Sequence, residues 1–580
     1  MPSASSVSVP SSSSSSASPD MNSHHNPGSG AAAQPQAAAS SDLAALSVRD
    51  PSAPLSSSSA LPISPALSSS SALPTSAAWL EHVELLARFW MHPDAFGDPP
   101  GLFPTWRRDD GTRIREDDPQ EELPEAGRTL WRKHYDGCDY TRMMSRQTFA
   151  YGALFNLTGR REFLDHHLEG VAFLREHARD PKGGFFTRFR QGQPVPEDPA
   201  ARTSQDLAYA LVGLAMNAYL TGDPATLEVI RETSDLLFQN YWIPGFGSCP
   251  GYDAFRDHGT APEPSSPSPH PCPPHVPGDY PRGWLSWTAG DDPGSPRPRA
   301  ELVSQLDQIN AYMLLSWRLL TREHRQVWEQ RLRSLLDAML TLFYRPEGNT
   351  FRDCPQGRSD RIGAGKDVLD HGHRVKSFWM ILLAALGLAA PDLAAFARKG
   401  MAQTLSEALQ PGGRKWFQSV LGGDADWWIY AELDQAALTM ALEDGRPVPL
   451  TVRTLLEKHT DRRFGEWLLG TKTHFWRNGF HSTEHTLVGI LISEALRCRD
   501  TQPGSPQPAA WKEVPWLARD REGRICPALY FAPVPGSRMN FTPYVFGGET
   551  DHTEKTSDPE ILQTVFRKIT LPGKAGGATE

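Results

Sequence analysis

Histidines stand at two places in this chain where proton transfer is plausible chemistry: the run His371-Gly372-His373, and His481 with His485 four residues later. Imidazole, with an unperturbed pKa of about 6.5, can give or take a proton at neutral pH, and such assistance typically contributes about 10² to 10⁴-fold. Arg146 is a candidate for holding a developing oxyanion, with a buried ion pair to Asp206 or Glu432 as its structural alternative. Trp427 and Trp428 offer an aromatic face to the apolar face of a sugar ring. Adjacent helical positions point in different directions, so only one of them is expected to line a cavity. His481 and His485 have the i, i+4 spacing to share a metal, with His371, His373 and His474 as further ligands. The pattern lacks the Glu of HExxH and no dense carboxylate cluster accompanies it, so neither a metal nor a cofactor is expected. A competing chemistry is glycoside hydrolysis, with acid and base drawn from Asp206, Asp307, Asp370 and Glu432.

These residues must be brought together by helices. Between residues 77 and 499 the sequence reads as twelve helical stretches, joined alternately by very short turns and by long loops rich in Gly and Pro. Thr158-Gly159-Arg160, Thr221-Gly222-Asp223, Thr321-Arg322 and Ala390-Pro391 are the short turns. The helices that precede them are apolar nearly all round, as in Leu207–Met216 and Phe378–Leu386, whereas the alternate ones, such as 224–240 and 323–343, carry one apolar stripe. A helix apolar on every side is buried and a striped one faces water. The pattern predicts an all-α fold, an (α/α)6 toroid or six-hairpin barrel. Helices starting near 142, 203, 301, 372, 426 and 482 form its inner ring, with their N-termini on one face. Arg142, Arg146, Gln205, Asp206, Asp307, Gln308, His371, His373, Trp427, Trp428, His481 and His485 all fall near those starts. Helix N-termini carry positive partial charge, which favours an anionic or oxyanionic group at such a mouth.

Composition narrows the function classes. The 580 residues carry 58 Lys plus Arg against 68 Asp plus Glu, a formal charge of −10 with no long block of one sign, which argues against a nucleic-acid partner. The longest clean apolar stretch, Trp379 to Ala390, falls short of the roughly 18 to 20 residues of a membrane span. Six cysteines without a CxxC pair indicate neither a disulfide scaffold nor a zinc ribbon. The first 48 residues contain no Lys or Arg and no sustained apolar core, unlike a secretory or mitochondrial leader, so a cytoplasmic location is expected. Residues 1–76 are a Ser, Pro and Ala tract expected to be a disordered tail. Residues 77–500 are expected to form the catalytic toroid and 501–580 an irregular C-terminal extension.

The motifs resemble a known family. His371-Gly-His373-Arg-Val-Lys376-Ser-Phe-Trp379 is similar to the GH-x-x-E-x-x-W signature of the N-acylglucosamine 2-epimerase superfamily, which also holds cellobiose 2-epimerases and mannose isomerases. Trp427-Trp428-Ile-Tyr-Ala-Glu432 resembles its WW-x-QAE. Gly465-Glu466-Trp467 and Trp476-Arg-Asn-Gly-Phe480-His481 resemble its GEW and W-K-x-P-Y/W-H segments. Ser145-Arg146-Gln147 and Gly183-Gly184-Phe185-Phe186 resemble its SRQ and GGF motifs. Three positions depart: Lys376 stands where the family has Glu, Glu484 where it has Arg, and Asp307 or Gln308 where it has His.

The resemblance implies a sugar epimerase or aldose–ketose isomerase acting on a small carbohydrate. His373, His481 and Arg146 would be catalytic, and Trp379, Trp427, Trp428, Asp307, Lys376, Glu432 and Phe480 would line the substrate. Moving a proton beside an open-chain carbonyl passes through an enediolate, which needs a base, a matching acid and a cation near the oxygen. By analogy with the family, the two histidines face opposite sides of the substrate carbon or divide proton shuttling and ring opening. Lys376 is expected to favour an anionic substrate or to pair with Asp370. A homodimer is left open, as is a binding protein without strong activity on the same scaffold.

Overall fold

Local sequence sets several helix ends. In the computed structural model, which describes residues 72–118, 123–245, 273–289, 299–354, 370–499 and 509–573, the helices are α1 (Ser76–Trp90), α2 (Glu125–His134), α3 (Thr141–Thr158), α4 (Arg161–Glu176), α5 (Ser204–Ala210), α6 (Val212–Thr221), α7 (Pro224–Asn240), α8 (Leu302–Gln308), α9 (Arg322–Ala338), α10 (His371–Gly387), α11 (Pro391–Ala408), α12 (Trp427–Asp444), α13 (Thr451–Lys458) and α14 (Phe480–Arg499). Thr75, Thr203, Asp223, Thr321 and Asp370 each cap a helix by accepting a backbone N–H with the side chain. Gly159, Gly222 and Gly445 end α3, α6 and α12 in the left-handed conformation that a Cβ would penalise.

The alternation of helix character is borne out. All but the last residue of α3 are buried, and α12 is buried without a break from Ile429 to Leu442. The outer helix α7 buries only a stripe, Thr226, Val229, Ile230, Thr233, Ser234 and Leu237. The buried helices pack in a closed cycle: α3 against α5 and α6, α5 against α8, the π-helical continuation of α8 (Ile309–Met313) against α10, α10 against α12, α12 against α14, and α14 back against α3. Outer helices pair as hairpins with their inner neighbours, as α4 does with α3, α7 with α6 and α11 with α10, while α1 lies on α14 and α13 packs on α1. Two expected single helices are interrupted: 203–221 is broken at Leu211, and 301–321 passes through π and 3-10 turns. The expected tail, residues 1–76, lies outside the described residues except at its end, where Ala72 and Leu73 are buried.

The extension after residue 500 is not irregular. Strands β1 (Leu517–Arg519), β2 (Ile525–Phe531), β3 (Gly547–Lys555) and β4 (Leu562–Thr570) form an antiparallel sheet in the order β1-β2-β4-β3, with Ala528 opposite Val565 and Glu554 opposite Gln563. The sheet packs on the C-terminal ends of the inner helices. Ala532 and Val534 donate backbone N–H groups to the carbonyls of Leu220 and Thr221 at the end of α6. Asn156 of α3 donates to the Tyr530 carbonyl, and Arg499 at the end of α14 donates to the Ile569 carbonyl. Helix C-termini leave carbonyls without intrahelical partners, and the extension satisfies some of them.

Candidate active site

The first turns of the inner helices converge. On α3, Arg142 donates to Asp206 (2.9 Å) and Gln205 (3.3 Å) of α5 and lies over the rings of Trp476 (4.4 Å) and Tyr209 (5.0 Å). Gln205 and Tyr209 donate to the two oxygens of Asp307 on α8, at 2.6 and 3.0 Å. Lys376 of α10 closes on Asp307 at 3.1 Å and stands 3.8 Å from Glu432 of α12. Glu432 is 3.7 Å from Nδ1 of His481 on α14. One chain of polar contacts thus crosses all six inner helices.

His373 and His481 both approach Trp428, with ring centroids 4.6 and 6.4 Å from the indole. His373 Nδ1 hydrogen-bonds Asp370 Oδ2 at 2.8 Å, while the other oxygen of Asp370 caps the helix through the His373 N–H at 2.8 Å. A carboxylate on Nδ1 fixes the tautomer in which Nε2 is the proton acceptor. Burial, with the charges of Arg146, Lys376 and His373, drives the pKa of His481 well below the ordinary histidine value, so this ring is neutral.

Arg146 is buried and, among the described residues, makes no ion pair within 4 Å; its guanidinium lies 3.8 Å from the Tyr209 ring centroid and 5.6 Å from that of Phe480. The expected partners do not hold it, because Asp206 is taken by Arg142 and Glu432 faces Lys376 and His481. Aromatic faces stabilise a guanidinium without neutralising its charge.

Lys376 does not pair with Asp370. It is fully buried against Asp307, and against the desolvation of burial the Lys376 ammonium and the Gln205 hydrogen bond pull Asp307 down to about 2. The lysine is raised in turn by Asp307, Tyr209 and Glu432 against its own desolvation. The ion pair joins α10 to α8, and it leaves little free charge there for an anionic ligand. Burial pushes Glu432 up to about 8 despite Lys376, whose 3.8 Å approach is too long for a hydrogen bond while the ammonium is committed to Asp307. Glu484 is also raised by burial, and its Oε1 accepts the hydroxyl of Tyr544 at 2.7 Å.

Several expected site residues sit elsewhere. Trp427 turns away from the mouth toward His474 (4.8 Å) and Arg477 (5.0 Å), so Trp428 is the tryptophan of the pair that faces the histidines. Trp379 is fully buried below the site, in the wall of a cavity of about 10 Å³ shared with Phe149, Glu484 and Tyr544, room for about one water. Phe480 supports Arg146 and His481 from beneath rather than opening to the mouth. His485 is locked in the core, its Nε2 3.0 Å from Asp434, whose other oxygen accepts Trp416 and Thr451. Among the described residues no group of three or more His, Cys, Asp or Glu could hold a metal ion, and none of the helices is long and apolar enough to cross a membrane.

Tyr209 and Tyr544 were not foreseen as site residues. Tyr209 sits three residues after Asp206, one helical turn further along the same face, and that spacing was the signal for it. Tyr544 comes from the extension, where the aromatic run Phe541-Thr-Pro-Tyr544-Val-Phe546 was the clue to a docked segment.

Residues 133–254 match the family model described as N-acylglucosamine 2-epimerase (GlcNAc 2-epimerase), which bears out the family resemblance over the stretch holding the SRQ-like and GGF-like motifs. The fold is similar to that of cellobiose 2-epimerase from Spirochaeta thermophila DSM 6192, 16% identical, covering 73% of this chain and 98% of that one with a TM-score of 0.51. It is also similar to that of a D-mannose isomerase, 14% identical, covering 72% and 98% with a TM-score of 0.52. Cellobiose 2-epimerase from Bacillus thermoamylovorans B4167 is 12% identical over 72% and 98%, again with a TM-score of 0.52. At such identities the likeness is one of fold. No curated protein matches the sequence.

Proposed function

We propose that this chain, whose residues 133–254 match the N-acylglucosamine 2-epimerase family model, is a sugar epimerase or aldose–ketose isomerase built on an (α/α)6 toroid, and that two histidines move its protons beside an open-chain carbonyl. The observation that carries this reading is that His373 and His481, from different inner helices, both approach Trp428, with Arg146 nearby and, among the described residues, without a carboxylate partner.

The two rings are prepared differently. His481, kept neutral by burial and by three neighbouring cationic or titratable groups, is the base that removes the proton from the carbon beside the carbonyl. Asp370 orients His373 and supplies a counter-charge for the proton that ring carries to or from the ring oxygen or the opposite face of the substrate. Arg146 holds the oxygen on which negative charge grows, and a guanidinium not already neutralised by a carboxylate is the better for it. Trp428 supplies the stacking face. The closed cycle of six buried helices supports the toroid.

Glycoside hydrolysis is less well served. Asp307 is neutralised by Lys376, Asp206 is paired with Arg142, Asp370 is engaged with His373 and the helix N-terminus, and Glu432 is buried behind Lys376 and His481. A panel containing mannose, glucose, fructose, N-acetylmannosamine, cellobiose and acidic sugars tests the proposal. At least one should be epimerised or isomerised. Cleavage of a glycosidic bond that survives loss of either histidine would establish the hydrolase instead, and tight sugar binding without turnover would establish a binding protein.

A further inference from the structure

The segment between β2 and β3 does more than cover the helix ends. Tyr544 is held at φ 58°, in the left-handed region that a bulky side chain rarely adopts. Its backbone N–H donates to the Tyr219 hydroxyl (3.0 Å), which in turn donates to the Thr542 carbonyl (2.7 Å), so one α6 side chain holds the segment at Tyr544 and two residues before it. The side chain that this grip delivers is fully enclosed, and its hydroxyl donates to Glu484 of α14. Strain of this kind persists only where the surroundings over-determine it.

We propose that Tyr544 is a positioning residue of the site: its hydroxyl makes Glu484, rather than Glu432, the buried carboxyl that carries negative charge, and thereby sets what His481 Nδ1 faces. The inference rests on the reading of His481 as the base. Tyr544, Lys376, Arg146, Gln435 and Glu432 face Glu484, and all but Glu432 favour its ionised form. Lys376, Glu484, Asp307, Arg146 and His481 face Glu432, which has no hydrogen-bond partner on either oxygen. Two carboxyls that repel one another share their charge unequally, and the one with a donor ionises first. With Tyr544 in place, Glu432 remains protonated at neutral pH, and His481 is spared the anion 3.7 Å away that would make it more basic.

Tyr544→Phe, Glu484→Gln and the double variant test this in the full chain. Glu484 is raised on folding, so its contribution to stability is present below the unfolded carboxyl value and is lost as pH rises through the folded one. Removing the hydroxyl raises the folded value further. The melting-temperature penalty of Tyr544→Phe should therefore be larger at pH 8 than at pH 5 and should lose its pH dependence in the Glu484→Gln background; a penalty that is flat with pH, or unchanged in that background, overturns the proposal. In the profile of kcat/KM, the inflection belonging to the first ionisation of the carboxyl pair should move up by about one unit in Tyr544→Phe and by nothing when Glu484→Gln is already present. Superimposable wild-type and Glu484→Gln profiles would overturn the link to His481. If the wild type turns over no sugar, the epimerase reading fails, and the melting comparison still decides whether Tyr544 directs the charge.

Discussion

In the proposed reaction His373 and His481 take different tasks, and they differ in what stands at their Nδ1 atoms: a hydrogen-bonded Asp370 carboxylate for the first and, 3.7 Å away without a hydrogen bond, Glu432 for the second. Each should be indispensable: His373→Asn and His481→Asn are expected to lower turnover by about 10² to 10⁴-fold, with the far-ultraviolet circular dichroism of the helices unchanged. Glu432 gives a second prediction. Its folded pKa, about 8, lies above its unfolded value, so its contribution to stability is present below the unfolded value and disappears as pH rises through 8. Glu432→Gln should match the wild type at pH 5 and exceed it by a few kcal/mol, in order of magnitude, at pH 9. Denaturant titrations at the two pH values check this, and a larger difference at pH 5 would reverse the assignment. The ion pair of Lys376 and Asp307 belongs to the same scale. Lys376→Met should cost roughly 3 to 5 kcal/mol, because it strands a buried carboxylate, and Asp307→Asn added to it should recover much of the loss.

The residue types at the mouth were legible because each falls in the first turns of an inner helix. Their pairings were not. Lys376 meets Asp307 across 69 positions of sequence, and nothing in local spacing distinguishes that partner from Asp370, six residues away. At the scale of elements, the period of apolar residues gave twelve helices close to where they lie. It missed α2, whose Glu125–His134 run is largely polar. The sheet was hidden for a different reason: β2 is buried almost throughout, so it does not alternate, and β3 is polar along most of its length. Close packing between α10 and α11 depends on Gly400, where an added Cβ would lie 2.2 Å from the Phe378 ring. Gly400→Ala is expected to cost about 1 to 3 kcal/mol by overpacking, with Phe378→Leu recovering part of it, as measured by thermal melting.

For the whole molecule, one end of the helix cycle carries the polar chain from Arg142 to His481, and the other is closed by the C-terminal sheet, which reaches the site through Tyr544. This arrangement suits the proposed proton transfer between two histidines better than a carboxylate pair flanking a scissile bond. The most direct measurement is turnover in heavy water of the sugar that the wild type converts, followed by proton resonance at the carbon beside the carbonyl. A proton taken by imidazole can exchange with solvent before it returns, so deuterium should enter the product at that carbon during turnover, and both conversion and incorporation should fall together in His373→Asn and in His481→Asn. Product that forms by cleavage of a glycosidic bond, carries no deuterium at that carbon and persists in both histidine variants would contradict the account.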